Sequence, residues 1–168
     1  SSATWQAAAE AIRTTDTFAK GAGATAAIGG TTVQIAGIAK GSGMIAPDMA
    51  TMLGFVATDA ALPQDVLAAL LADATHRSFN AITVDSDSST NDSVFLVASG
   101  AAGNAGITAH DDPALDGFRT ALDQVMQDLA GQIVRDGEGA TKFITIAVTG
   151  AADDDIAHRI GMSIANSP

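Results

Sequence analysis

The amino-acid sequence predicts a layered α/β unit, with helices packed on sheets. Three observations carry this expectation. Some segments repeat apolar residues at helical spacing while others form short continuous apolar runs of strand length. Hydrophobic residues make up 47% of the chain and charged residues 16%, enough to build a core. Aromatics fall to 4% beside abundant Gly and Ala, so that core must come from small and aliphatic side chains. With 168 residues the chain has the length of one compact domain or of one half of a larger one.

The elements follow in order. Trp5, Ala8, Ala9 and Ile12 fall at helical spacing, so a first amphipathic helix runs to about Arg13. Two apolar runs, Thr25–Ile28 and Thr32–Ile38, flank Gly29-Gly30, a hairpin signal. After a Gly-rich loop, Met52–Ala57 suits a strand buried on both faces, although periodicity alone does not separate it from a buried helix. Pro63 marks the first turn of a helix whose apolar face is Val66, Leu67, Leu70, Leu71 and Ala74. The polar stretch Asp85–Ser93 leads into a strand at Val94–Ala98 and then a glycine-rich loop. From Pro113 to about Val134, Leu115, Phe118, Leu122, Val125, Met126, Leu129 and Ile133 define the longest helix. A strand at Lys142–Val148 and a last helix behind Asp153, Asp154 and Asp155 complete the set.

Composition also excludes functions. A net charge of −11 repels phosphate backbones, and no Lys/Arg stripe interleaved with aromatics is present, so nucleic acid is not the expected partner. Cysteine is absent, which excludes disulfides and thiolate metal sites and points to a reducing compartment, the cytoplasm. No run approaches the roughly 20 apolar residues that span a bilayer, so no membrane partner is expected. Both ends look cut, which suggests an internal fragment.

The most unusual segment is Lys40-Gly41-Ser42-Gly43-Met44-Ile45-Ala46-Pro47-Asp48-Met49-Ala50-Thr51-Met52-Leu53. Glycines and a proline shape a loop directly before a buried run that opens with a hydroxyl. On the residues alone, Thr51 either starts a strand, as β-branched threonine does, or presents its hydroxyl for attack.

This segment resembles the cleavage signature of the ornithine acetyltransferases, also called bifunctional glutamate N-acetyltransferases: Lys-Gly-x-Gly-Met-Ile-x-Pro-x-Met-Ala-Thr-Met-Leu. Three further stretches are similar to the same family, in its order and close to its spacing: Thr14–Lys20, Asp85–Ser93 and Asp136–Phe143. The resemblance covers essentially the whole chain. It implies an αββα sandwich of the ornithine acetyltransferase and aminopeptidase superfamily, reached by two chains cut from one precursor at Ala50-Thr51. Residues 1–50 would then end the α chain and 51–168 begin the β chain.

The activity implied is acetyl transfer from N2-acetyl-L-ornithine to L-glutamate in arginine biosynthesis, through an acetyl-Thr51 intermediate. Thr14, Lys40 and Glu138 correspond to substrate-binding positions, with Thr51 also touching substrate. No cofactor is implied; acetyl-coenzyme A is an alternative donor in some members. The implied partners are the amino-acid substrates and the α and β chains themselves, as a heterotetramer. The family's oxyanion hole and further substrate contacts lie outside these 168 residues, so the fragment alone is expected to be inactive. Two alternatives stand beside this reading: a related amino-terminal-nucleophile aminopeptidase or amidase, and an uncleaved structural fragment.

Weaker signals give no site. Asp85, Asp87, Ser89 and Asn91 alternate like a calcium loop but lack its central glycine and final glutamate, so a polar turn is expected. Gly100, Gly103 and Gly106 have the wrong spacing for a phosphate loop and are read as a surface loop. His76, His110 and His158 are far apart in sequence without paired ligand spacing, and no metal is assigned.

Overall fold

The computed structural model describes residues 4–42, 52–86 and 91–167. Ala50 and Thr51, with the scissile link predicted between them, lie outside the described residues, as does much of the Asp85–Ser93 stretch. Helix α1 (Trp5–Ala11) is capped by Thr4, whose side chain accepts the Ala7 N–H. It ends two residues earlier than its periodicity predicts. Trp5 is half exposed, contrary to its place on the predicted apolar face, while Ala9 is buried.

Strands β1 (Lys20–Ile28) and β2 (Thr31–Lys40) form an antiparallel hairpin in the register Lys20↔Ala39 to Ile28↔Thr31. Gly29 and Gly30 both take positive φ, +56° and +84°, the left-handed pair that a tight hairpin turn requires. Strand β3 (Leu53–Thr58) pairs antiparallel with β2, and β4 (Ser93–Ala98) pairs parallel with β3, giving the order β1-β2-β3-β4. The parallel pair needs a crossover, and helix α2 (Gln64–His76) supplies it, with Pro63 as its extended cap.

The long predicted helix is a 3₁₀ turn at Pro113–Leu115 running into α3 (Asp116–Arg135). All seven residues assigned to its apolar face are buried, joined by Ala121, Ala130 and Gly131. Helix α3 lies across β1 and β2, and α2 lies against β4 and α3. Arg77 ties the two helices through a two-pronged contact with Asp123, at 3.1 and 3.0 Å. The core is aliphatic apart from Phe79 and Phe118.

Alternation along β2 sends Val33, Ile35, Gly37 and Ala39 towards α3, and Ile38 and Lys40 to the opposite face. Helix α1 packs on β2 and β1, and both Ala9 and Ile38 are buried outside the main core. On β3 and β4, Phe55 and Phe95 stack at 5.4 Å between centroids, and Phe95 and Val97 remain exposed.

The described residues thus hold one sheet with helices against it, the α/β class that the sequence predicts; a second sheet is not formed among them. The predicted strand at Lys142–Val148 is a correction. These residues make no ladder and are mostly exposed, because an extended segment becomes a strand only beside a partner that takes its N–H and C=O groups. Helix α4 (Asp154–Ala165) forms as predicted, with Asp153 accepting the Ile156 N–H at 2.7 Å, but none of its residues is fully buried.

At Gly37, α3 approaches β2 so closely that a Cβ would stand 2.8 Å from Leu129 Cδ1 and 3.1 Å from Val56 Cγ2. Gly37→Val is therefore expected to destabilise the complete protein by about 1–3 kcal/mol through overpacking. Urea denaturation checks this, and an unchanged midpoint would contradict the packing described.

Candidate functional site at one end of the sheet

Register brings several chain ends together. Lys20 opens β1 opposite Ala39, Lys40 closes β2 opposite Leu53, and Leu53 opens β3 opposite Ser93, the first residue of β4. Lys40 itself and the loops at this end that hold Thr14 and Glu138 bring three of the predicted site residues here.

Beneath them lies a buried ion cluster. Lys20, with no exposed surface, places its Nζ 2.6 Å from Asp16 Oδ1 and 2.5 Å from Asp136 Oδ2, and both carboxylates are as deeply buried. The Phe18 ring faces the same ammonium at 4.8 Å. Two negative charges against one positive would leave a surplus, which further donors absorb. Asp16 Oδ1 also accepts the Gly41 N–H at 2.7 Å, and its Oδ2 accepts the Thr14 N–H at 3.1 Å. Asp136 accepts the Thr17 N–H at 3.0 Å and a short bond from the Thr17 hydroxyl.

Burial by itself pushes the Asp16 carboxyl up. The Gly41 N–H, the Lys20 ammonium and the Thr14 N–H outweigh it and hold Asp16 below the ordinary carboxylate value. For Asp136 burial again pushes up, and Lys20 with the two Thr17 donors brings the carboxyl below the ordinary value.

Each predicted site residue meets this cluster differently. Thr14 is exposed and joined to Asp16 by its backbone. Lys40 is 8% exposed, yet among the described residues its ammonium makes no ion pair. Glu138 is exposed, and its N–H donates to the Ser42 carbonyl at 2.9 Å. The Ser42 hydroxyl in turn meets the Thr15 hydroxyl at 2.8 Å. The structure thus draws Thr14, Lys40 and Glu138 to one place, 124 positions apart in sequence at the extremes.

Thr51 and Ala50 are not described, but the residue after Thr51 is. The Met52 N–H donates to Asp92 Oδ1 at 2.9 Å, and the Met52 carbonyl accepts the Ser93 N–H at 3.1 Å. Asp92 thereby gives the Asp85–Ser93 stretch a structural task that its sequence did not reveal. Asp16, Lys20 and Asp136 were also not singled out by sequence reasoning. The signal available was an Asp and a Lys four apart in a chain with only 8 Lys and Arg.

Outside this end, two histidines that are distant in sequence meet on the helix surfaces. His76 and His158 are brought together, with ring centroids 4.8 Å apart, and His76 Nε2 lies 3.5 Å from Asp155 Oδ1. Among the described residues no group of three or more His, Asp or Glu could hold a metal, and no helix is long and apolar enough to cross a membrane. The glycine loop after β4 is tied back by Asn104, which accepts the Ala61 N–H at 2.7 Å.

A mixed α/β unit with a polar site built at one end of its sheet is the class that fold and site define. The ArgJ family matches residues 1–168, and the chain belongs to that family. It is 58% identical over 164 residues to the arginine biosynthesis bifunctional protein ArgJ of Gluconobacter oxydans, covering 98% of this chain and 39% of that relative. Against the protein of the same description from Rhizobium meliloti the identity is 56% over 167 residues, covering 98% and 40%. The crystal structure of arginine biosynthesis bifunctional protein argJ from Bacillus halodurans superimposes with a TM-score of 0.61 at 46% identity, over 65% of this chain and 51% of that one. The chain spans about 40% of the length of the curated relatives it matches.

The ion cluster predicts an acid response. Because the folded carboxyls titrate below their unfolded value of about 3.9, their contribution to stability is complete above that pH and is lost as the pH falls through the lower folded values. Lys20→Met strands two buried carboxylates and should cost about 3–5 kcal/mol at pH 7, with the deficit shrinking towards pH 3 as they protonate. Urea denaturation of the complete protein at both pH values checks the sign.

Proposed function

We propose that this chain is part of a glutamate N-acetyltransferase that moves acetyl from N2-acetyl-L-ornithine to L-glutamate. The observation that carries the reading is Lys40: a nearly buried lysine without an ion pair among the described residues, at the strand end opposite Leu53, two positions after Thr51. A cation so placed suits an amino-acid carboxylate, and low exposure strengthens the pairing. Family membership and the names of the relatives support the same activity.

In the precursor, the Thr51 hydroxyl attacks the Ala50 carbonyl carbon, the peptide nitrogen leaves as an amine, and an ester remains. Water then cleaves that ester, giving the Ala50 carboxylate and a free Thr51 hydroxyl and α-amine. An unperturbed α-amine titrates at roughly 7.7–8.0, so it serves as base for the hydroxyl of its own residue. Thr51 Oγ attacks the acetyl carbonyl of acetylornithine, the α-amine takes the hydroxyl proton and passes it to the departing ornithine nitrogen. The amine of glutamate next attacks the acetyl ester, which restores the hydroxyl and releases acetylglutamate. Lys40 holds the substrate carboxylate, Glu138 an ammonium group, and Thr14 a polar edge.

Cleavage at Ala50-Thr51 makes 1–50 the end of an α chain and 51–168 the start of a β chain, assembled as a heterotetramer in the cytoplasm. No cofactor enters these steps, and acetyl-coenzyme A is an alternative acetyl donor.

Thr51→Ala in the complete protein should leave a single uncleaved chain by intact mass and lower acetyl transfer by up to about 10⁶-fold, the scale of losing a covalent nucleophile. Full transfer by that variant would sink the proposal. Lys40→Ala should raise KM for the amino-acid substrates about 10–100-fold, the scale of one charge-assisted hydrogen bond.

A further inference from the structure

The buried cluster has a feature that a purely structural ion pair does not need: its carboxylate oxygens bond to the backbone of the substrate segments themselves. Asp16 Oδ2 accepts the N–H of Thr14, and Asp16 Oδ1 accepts the N–H of Gly41, which belongs to the peptide unit directly after Lys40. One side chain therefore spans two of the three substrate positions. Gly41 takes a φ of +143°, beyond the reach of most L residues, and a Cβ there would lie 3.4 Å from Met52 Cα and Cβ. The turn that carries Lys40 past the start of β3 is thus held by a bond to Asp16 in a backbone form that glycine permits.

The other half of the cluster serves the third position. Asp136 caps α3 and accepts both the N–H and the hydroxyl of Thr17, locking the Thr14–Thr17 loop to the residue two before Glu138. Ser42 closes the circuit, since its hydroxyl meets Thr15 and its carbonyl accepts the Glu138 N–H. Lys20 sits at the centre, and its charge keeps both carboxylates ionised so that each can go on accepting from these amides.

We propose that Asp16 is a positioning residue for substrate binding: through the backbone of Thr14 and Gly41 it fixes the spacing of Thr14 and Lys40, with Lys20 and Asp136 extending the same hold to Glu138. This rests on the assignment of Lys40 as a substrate-binding residue. Displacements of about 1 Å are costly when two charged groups of one small molecule must be met together.

The test is Asp16→Asn in the complete, processed protein, with steady-state acetyl transfer from N-acetylornithine to glutamate measured per folded and cleaved molecule. The asparagine keeps the shape but replaces one accepting oxygen by a donor and removes the charge. A rise in KM of about tenfold or more with kcat changed less than about threefold is expected, with Asp16→Glu recovering part of the loss. Unchanged KM, or activity lost only in proportion to folded protein, would overturn the positioning role. Lys40→Ala run beside it separates the two readings. If its KM is unchanged, the substrate assignment itself fails; if its KM rises while that of Asp16→Asn does not, only the positioning role fails. Should Asp16→Asn not fold, Ser42→Ala removes just the hydroxyl facing Thr15, and a KM raised severalfold at constant kcat supports the same circuit, while an unchanged KM overturns it.

Discussion

A lysine with no exposed surface keeps its charge in a folded protein only where carboxylates replace the water it has lost, and Lys20 has two of them within 2.6 Å. Backbone N–H groups of Thr14 and Gly41 stabilise Asp16 and that of Thr17 stabilises Asp136, so the charge balance is spread over two loops. The consequence is geometric. Asp16 comes from the loop after α1, Lys20 opens β1, and Asp136 ends α3, so these elements share one fixed point at the end of the sheet. Thr14, Lys40 and Glu138 hang from that point, because each lies within two positions of a member of the cluster or of a residue bonded to it.

The rest of the fold brings the cluster's members into reach. Alanine and glycine on the strands let α3 settle close to β1 and β2, which delivers its carboxyl end, and with it Asp136, to the loop before β1. Larger strand residues would hold the helix off, and the ion cluster would open to water, where such pairs contribute little. Small-residue composition and buried charge are therefore two aspects of one arrangement.

Part of the surface behaves differently. Helix α4 and residues 141–149 carry apolar side chains such as Ile144, Ile160 and Ile164 that remain exposed, as do Phe95 and Val97 on the uncovered face of the sheet. The contrast with the ion cluster is clear in energetic terms: Asp16, Lys20 and Asp136 have their charges matched within the described residues, whereas these side chains present apolar surface left uncovered among them.

Apolar patterning located α2, α3 and the cores of the four strands, although it left Met52–Ala57 open between strand and buried helix, and the acidic residues at its amino end marked α4. The double glycine set the hairpin, and the quoted segments around Lys40, Asp85 and Asp136 pointed to the family that the comparisons establish. Sequence did not determine which segments would find partners. Among the described residues Lys142–Val148 has the composition of a strand but no neighbour to bond, Trp5 has helical spacing but stays half exposed, and His76 meets His158 across 82 positions. Tertiary structure alone decided that Asp16, Lys20 and Asp136 form one buried cluster, because electrostatic pairing depends on distance in space and on loss of solvent, and neither is written in the spacing of residues along the chain.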